Sequence, residues 1–121
     1  MNKILVVDDN DDILNVVQLI LTSNGFEVSA TSNGDNAIAL TNEFKPDLVI
    51  LDIYLGGIDG RDICRSLKSN EATSHIPVIM FSAHGSRQDV FDKCDAQDFI
   101  SKPFEIKEFV GKIKYQLAHA S

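Results

Sequence analysis

The hydrophobic and polar positions of this chain follow two alternating periodicities. Five short runs are mainly apolar and end at a polar residue, a pattern typical of strands buried on both faces of a sheet. These runs predict strands at residues 4–7, 26–30, 48–51, 77–81 and 98–100. The segments between them carry apolar residues at the three- and four-residue spacing of amphipathic helices. The chain is therefore predicted to alternate between strand and helix five times.

The predicted helices have recognisable ends. Asp11 and Asp12 can cap the first helix, and Gly25 can end it. The second helix is expected to stop at the Lys45-Pro46 pair because proline cannot continue a helix, and the third follows a glycine-rich loop at residues 56–60. The final helix is predicted to present five apolar residues on one face: Ile106, Phe109, Val110, Ile113 and Leu117.

The alternation of strands and helices predicts an α/β fold. Consecutive parallel strands need right-handed crossovers, which place helices on both faces of the sheet. The chain has 121 residues, which suits a single hydrophobic core, and it contains no linker or repeat. We therefore expect one doubly wound domain over residues 1–121.

The net charge of the chain limits the kinds of partner that it can bind. There are 18 acidic and 11 basic residues, and the net charge is -7. Such a chain is poorly suited to binding nucleic acid or an anionic membrane surface, and better suited to a cation or a basic partner. No apolar run approaches the roughly 20 residues of a membrane helix, and no cleavage signal follows the first residues. These features predict a cytoplasmic location.

The two cysteines, Cys64 and Cys94, lie far apart in the sequence, and both are expected in helical segments. A chain of this length can be stable without a disulfide, so reduced thiols are expected. Buried cysteines often behave as small apolar residues. We interpret both as packing residues.

Polar side chains stand where four of the predicted strands end. Asp8 and Asp9 follow the first strand, Asp52 the third, Ser82 the fourth and Lys102 the fifth. Parallel strands point their carboxyl ends to one edge, where ligands bind. Three carboxylates there repel one another, so either some of them bind protons or a cation joins them, and oxygen ligands in an open site suit Mg²⁺. With a lysine and a hydroxyl opposite, the set is suited to phosphoryl transfer onto a carboxylate.

Four segments also carry a resemblance to a known family. The chain is similar to the CheY-like receiver domain of two-component response regulators, and the similarity runs from about Lys3 to Leu117. For that family the implied fold is flavodoxin-like, a (βα)5 doubly wound five-stranded parallel sheet with strand order 2-1-3-4-5. The segments that carry the resemblance are ILVVDDNDDI, DLVILDIYLGGIDG, FSA at residues 81–83 and DFISKPF.

The resemblance implies a role for each site residue. Asp52 would accept the phosphoryl group from a histidine kinase or a histidine phosphotransfer protein. Asp9, Asp52 and the Tyr54 carbonyl would bind Mg²⁺ directly, and Asp8 would act mainly through a metal-bound water. Ser82 would hydrogen-bond the phosphoryl group, and Lys102, followed by a cis peptide bond to proline, would pair with its oxygens.

The resemblance further implies a conformational switch. Phe99 would be the switch aromatic, turning inward as the Ser82 hydroxyl moves toward the phosphate. The signal would pass to a downstream effector or a fused output domain, with a possible homodimer through the face of the fourth helix, fifth strand and final helix. The small Ala83 would leave room for the phosphoryl donor. Tyr54 and His84 would lie over the phosphoryl group, and we expect the bulky Tyr54 side chain to slow the attack of water.

Some positions depart from the family pattern. Gly56 stands where proline is common, which predicts a less restricted loop, and Asp95 stands where glycine is usual. Only 20 positions separate Ser82 from Lys102, so the fourth helix is expected to be short or partly irregular.

Two other classes of function fit parts of the sequence. The Asp9-Asn10-Asp11 stretch after the first strand also suits an aspartyl-phosphate phosphatase of the haloacid dehalogenase kind, but that assignment leaves Asp52 without a role. The domain would alternatively be an interaction module that is never phosphorylated, against which the complete acidic pocket, Ser82 and Lys102 argue.

Overall fold

The computed structural model describes residues 2–82 and 93–120 of the chain. Its strands are β1 (Lys3–Val7), β2 (Glu27–Thr31), β3 (Leu48–Asp52), β4 (Tyr54–Leu55), β5 (Ile58–Asp59), β6 (Val78–Ser82) and β7 (Asp98–Ser101). Five of them form a parallel sheet in the order β2-β1-β3-β6-β7, and β4 pairs with β5 in a separate antiparallel hairpin. Numbered along the chain, the sheet strands follow the predicted order 2-1-3-4-5, which confirms the flavodoxin-like fold.

Within residues 2–82 and 93–120, four α-helices connect or follow the strands: α1 (Asp11–Ser23), α2 (Ala37–Phe44), α3 (Gly60–Ser69) and α4 (Ile106–His119), which is the predicted final helix. The cap of α1 differs from the prediction. Asn10, not an aspartate, caps it, since its side-chain oxygen accepts a hydrogen bond from the Ile13 N–H at 3.1 Å. Asp11 and Asp12 instead lie in the first turn, where their charges favour the helix N-terminus.

Alternating side chains of the sheet fill two separate cores. Leu5 and Val7 of β1 are fully buried in a cluster with residues of α2 and α3, which we call the α2–α3 core. Ile4 and Val6 are fully buried on the opposite face, in a cluster with residues of α1 and α4. Of the helices in the described part of the chain, two therefore pack on each face, as a continuous apolar strand requires. Among the described helices, none is long and apolar enough to cross a membrane.

Two predictions about apolar residues were wrong. Ile106 is 55% exposed, whereas Phe109 and Ile113 of the same predicted face are fully buried. Ile106 is the first residue of α4, which begins beyond the carboxyl edge of the sheet, so the sheet does not cover it. Cys94 is not helical: it lies in an irregular stretch where buried Cys94 and Ala96 alternate with exposed neighbours, a period of two that leads into β7.

The glycine-rich segment after β3 forms a hairpin. Tyr54 pairs with Asp59 and Leu55 with Ile58, and the turn between them consists of Gly56 and Gly57. Both glycines have positive φ, 54° and 91°, as the tight two-residue turns of hairpins require. Proline has a fixed negative φ and does not fit at the first of these positions.

The predicted fourth helix, Ala83 and His84 lie outside the described residues. The expected cis peptide bond is present between Lys102 and Pro103.

Candidate functional site

Three aspartates meet at the carboxyl edge of the sheet. Asp8 and Asp9 directly follow β1, and Asp52 is the last residue of the neighbouring strand β3. The structure brings one carboxylate oxygen of each within 4.8 Å of the others. Asp8 and Asp52 are almost fully buried, at 0% and 4% exposure, and Asp9 is exposed. The cluster therefore consists of two buried carboxylates and one, that of Asp9, that is open to solvent.

Lys102 bridges the two buried carboxylates. Its Nζ donates to Asp8 Oδ2 at 2.7 Å and to Asp52 Oδ2 at 2.9 Å. The ammonium also lies 4.7 Å from the centre of the Phe81 ring, whose face attracts cations. The lysine is placed by strand pairing, because it directly follows β7 and its backbone N–H donates to the Ser82 carbonyl at 2.8 Å.

Backbone groups hold the other carboxylate oxygens. Asp8 Oδ1 accepts from the Asn10 N–H at 2.9 Å, and Asp52 Oδ1 accepts a long hydrogen bond from the Tyr54 N–H at 3.4 Å. Both contacts arise where a strand ends and the chain turns. The side chains are thus oriented by the turns that follow their own strands.

Burial dominates the electrostatics of Asp52. Removal from water raises the pKa of Asp52 from its ordinary 3.8 to about 6; the hydrogen bond from Lys102 opposes this rise, and the charge of Asp8 adds to it. Burial lowers the pKa of Lys102, but its hydrogen bonds to Asp8 and Asp52 outweigh that effect and raise it overall. At neutral pH, Lys102 is thus an ammonium and Asp52 is mainly a carboxylate.

This donor set fits a hard divalent cation. Among the described residues, three carboxylates face one ammonium, so this set keeps a negative charge that a cation would offset. All the side-chain ligands are oxygens, as Mg²⁺ prefers, and the exposed carboxylate of Asp9 leaves space for water ligands.

The other predicted site residues lie around this cluster. Ser82 is the buried last residue of β6, the strand beside β3, one position beyond Phe81, which pairs in register with Asp52. Tyr54 begins the hairpin and is 55% exposed. Phe99, on β7, is buried in the α2–α3 core and is not part of the carboxylate and lysine cluster.

Gly60 is a site residue that the sequence analysis missed. A Cβ at this position would overlap the backbone carbonyl of Asp52, and the Gly60 N–H donates to the Ile53 carbonyl at 2.7 Å. Glycine is required here by close approach of two backbones rather than by a positive φ. The glycine-rich loop at residues 56–60 was the available signal, but no role was predicted for Gly60 itself.

A second group of charges, the Asp59 group, lies at the start of α3. Asp59 Oδ2 accepts from Arg61 Nη2 at 2.8 Å and from Lys93 Nζ at 2.9 Å. The Arg61 hydrogen bonds hold the pKa of Asp59 well below its usual range, with burial opposing and Lys93 assisting. Because the Asp59 side chain keeps 25% of its exposure, desolvation is weaker here than at Asp52.

Comparison with known proteins identifies the family. Residues 4–114 match the response regulator receiver domain. The DNA-binding response regulator MtrA of Mycolicibacterium smegmatis is 35% identical over 117 residues, which are 95% of this chain and 50% of that protein. The chain thus spans about half the length of the curated relatives it matches.

Solved structures agree with this assignment. A response regulator described as putative, from Chloroflexus aurantiacus, superposes with a TM-score of 0.90 at 32% identity, over 98% of both chains. The receiver domain of a sensor histidine kinase from Pseudomonas aeruginosa, solved with a magnesium ion in its active site cleft, has the same fold, with a TM-score of 0.88 at 23% identity over 97% of this chain and 98% of that one. These matches favour a receiver over the phosphatase considered above.

Proposed function

Since the chain belongs to the response regulator receiver domain family, we propose that it accepts a phosphoryl group on Asp52 from a sensor histidine kinase or a histidine phosphotransfer protein. Mg²⁺ would be its cofactor, and the cytoplasm its location. The observation that carries the proposal is the Asp52 carboxylate itself, nearly buried and hydrogen-bonded to Lys102 at 2.9 Å beside two more aspartates.

Asp52 would act as the nucleophile. One of its carboxylate oxygens would form a bond to phosphorus while the bond between phosphorus and the imidazole nitrogen of the donor breaks. The nucleophile must be ionised, and a pKa of about 6 leaves Asp52 mainly charged at neutral pH. Lys102 would turn its Nζ to the phosphoryl oxygens and offset their charge.

Mg²⁺ would be held by Asp9, by Asp52 and by the backbone carbonyl of Tyr54, with Asp8 acting mainly through a water ligand. When bound, the ion would neutralise charge on the phosphoryl oxygens. Asp8 also hydrogen-bonds Lys102, so it would keep the ammonium at the site before the phosphoryl group arrives.

Phosphorylation would replace one negative charge on Asp52 with about two and add acceptor oxygens. We expect Ser82 to donate a hydrogen bond to one of them, since it ends the adjacent strand. Phe99 would then move to fill the space that Ser82 leaves, changing the face formed by β7, α4 and the predicted fourth helix. That face would contact a downstream effector or a fused output domain, or a second copy of the chain.

The decisive experiment is phosphorylation by a small donor. We expect the chain, incubated with acetyl phosphate or phosphoramidate and Mg²⁺, to gain one phosphoryl group by intact mass and to lose the adduct slowly. Asp52→Ala should abolish the adduct, whereas the matched control Asp59→Ala, in the neighbouring hairpin, should keep it. An adduct that survives Asp52→Ala, or none at all with the native chain, would overturn the proposal.

Tyr54 is proposed to set the lifetime of the phosphoryl group. Its side chain is exposed and its backbone N–H donates to the Asp52 carboxylate, so we expect the ring to hinder the approach of attacking water. Dephosphorylation of the native protein should therefore be slower than that of Tyr54→Asn. An unchanged or slower rate in the variant would contradict the assignment.

A further inference from the structure

The two cysteines touch inside the α2–α3 core. Cys64 lies on α3 and is fully buried, and Cys94 lies in the irregular stretch before β7 and is 5% exposed. The thiol of Cys64 donates a hydrogen bond to the sulfur of Cys94. Neither residue is in a disulfide. Packing in the α2–α3 core thus brings together two thiols that lie far apart in the sequence.

The two sulfurs have different surroundings. The Cys94 sulfur also accepts from the Ala96 backbone N–H and lies near the positive charge of Arg61. The Cys64 hydrogen bond, only partly opposed by burial, lowers the pKa of Cys94 to about 7; Asp95 opposes this weakly. The same hydrogen bond and burial raise the pKa of Cys64, although Lys68 lies nearby.

The two thiols also differ in how accessible they are from solvent. Cys94 lies between Lys93, which is partly exposed, and Asp95, which is exposed, so its backbone runs along the surface. Cys64 lies on the inner face of α3, where it packs with Ile63, Leu67 and the core. A small oxidant approaching from solvent therefore meets Cys94 first.

We propose that Cys64 and Cys94 are a redox-active dithiol that closes to an intramolecular disulfide on reaction with a peroxide. The Cys94 thiolate attacks one peroxide oxygen, the O–O bond breaks, and the leaving oxygen takes a proton to become water, which leaves a sulfenic acid on Cys94. The Cys64 sulfur then attacks the Cys94 sulfur, the S–O bond breaks, and hydroxide leaves with the Cys64 proton as a second water. Two thiols lose two electrons, and one hydrogen peroxide is reduced to two waters.

The disulfide would link α3 to the stretch that leads into β7, the strand that carries Phe99. It would enclose β6, with Ser82 at its end, in a covalent loop. This inference does not depend on phosphorylation, because the thiol contact exists in the α2–α3 core, apart from the carboxylate cluster.

The test uses the full chain, without denaturant, at pH 7.5. After exposure to hydrogen peroxide, the protein is unfolded, treated with N-ethylmaleimide and weighed intact. We expect neither cysteine to be alkylated, a mass lower by two hydrogen atoms, and a proteolytic peptide pair joined through Cys64 and Cys94. Dithiothreitol should restore both thiols. Two alkylatable thiols, a disulfide between two chains, or a sulfinic acid on Cys94 in place of the disulfide would overturn the proposal.

Single variants test the order of attack. With peroxide and dimedone, Cys64→Ser should trap a sulfenic acid on Cys94, whereas Cys94→Ser should label Cys64 at least about tenfold more slowly, because a buried thiol of raised pKa is a poor nucleophile. Equal labelling of the two variants would contradict the assigned roles. Circular dichroism checks folding, and Cys94→Ala replaces Cys94→Ser where the added hydroxyl unfolds the chain.

Discussion

Two groups of charges in this protein each pair a lysine with an aspartate, but the pKa of that aspartate shifts in opposite directions. In one, Lys102 reaches Asp8 and Asp52; in the other, Lys93 reaches Asp59, which Arg61 also holds. Lys93 lies five positions before β7 and Lys102 directly follows it, and each contacts an aspartate at least 34 positions earlier in the chain. The pKa of Asp52 is raised to about 6, whereas the pKa of Asp59 is held well below its usual range.

Burial and the number of partners explain this difference. Asp52 is 4% exposed and shares one ammonium with a second buried carboxylate, so desolvation exceeds the attraction. Asp59 keeps more contact with water and faces two cations. An ion pair therefore does not by itself make a carboxylate more acidic. The ion pairs of the Asp59 group stabilise the fold. In the Asp52 group the buried carboxylates repel each other, and a bound cation would reduce that repulsion.

Replacing the lysine of each group should give the largest difference in stability between the two groups. Lys102→Met leaves two carboxylates buried without their cation, and we expect the free energy of unfolding at pH 7 to fall by about 3–5 kcal/mol. Urea denaturation in the presence of a chelator measures this. Lys93→Met is the matched control, and we expect only a small loss because that pair is near the surface. Equal losses would show that burial does not distinguish the groups.

The pH dependence of stability should have opposite sign at the two aspartates. Asp52 binds its proton more tightly in the folded protein, so its contribution to stability is present below about pH 4 and is lost as the pH rises through about 6. Without divalent ions, Asp52→Asn should be more stable than the native chain at pH 7, by about 3 kcal/mol at most, and should lose that advantage near pH 4.

Asp59 should show the reverse. Its pKa is lowered on folding, so its stabilisation is present above the ordinary value of 3.8 and is lost as the pH falls below it. Asp59→Asn should therefore destabilise the protein at pH 7 and have less effect in acid. Urea midpoints measured from pH 3 to 8 test both variants, and slopes of the same sign would refute the comparison.

Gly60 lies between the two groups, directly after Asp59 and against the backbone of Asp52. Gly60→Ala would force these backbones apart, and we expect a loss of about 2 kcal/mol in unfolding free energy. Gly111→Ala, on α4 where an added Cβ meets nothing within 4 Å, should instead stabilise the protein by about 1 kcal/mol. Thermal unfolding compares the two. A harmless Gly60→Ala would mean that the hairpin can move without disturbing Asp52.

Magnesium should act on one group only. At a free concentration roughly ten times its Kd, Mg²⁺ should stabilise the native chain by about 1.4 kcal/mol, seen as a higher Tm than in chelator. Asp9→Asn should reduce this shift, and Asp59→Asn should retain it. If Asp59→Asn abolished the Tm shift and Asp9→Asn kept it, the cation would bind at the Asp59 group and the assignment to the Asp52 group would be wrong.

The sequence predicted the framework well because its signals are local. Buried parallel strands read as continuous apolar runs, so all five sheet strands were located, within one residue or so at either end. The hairpin at residues 54–59 was missed because two-residue strands are too short to show a period. Cys94 was assigned to a helix because a single buried residue cannot distinguish one periodicity from another.

The sequence by itself determined which residues end the strands, and hence that Asp8, Asp52, Ser82 and Lys102 share one edge. Only the tertiary structure decided how they meet. The contacts of Lys102 join residues 94 and 50 positions apart, and the thiol contact of Cys64 with Cys94 crosses the α2–α3 core. Periodicity reports which way a side chain faces along its own element, whereas distances, burial and pKa values depend on neighbouring strands that are remote in sequence.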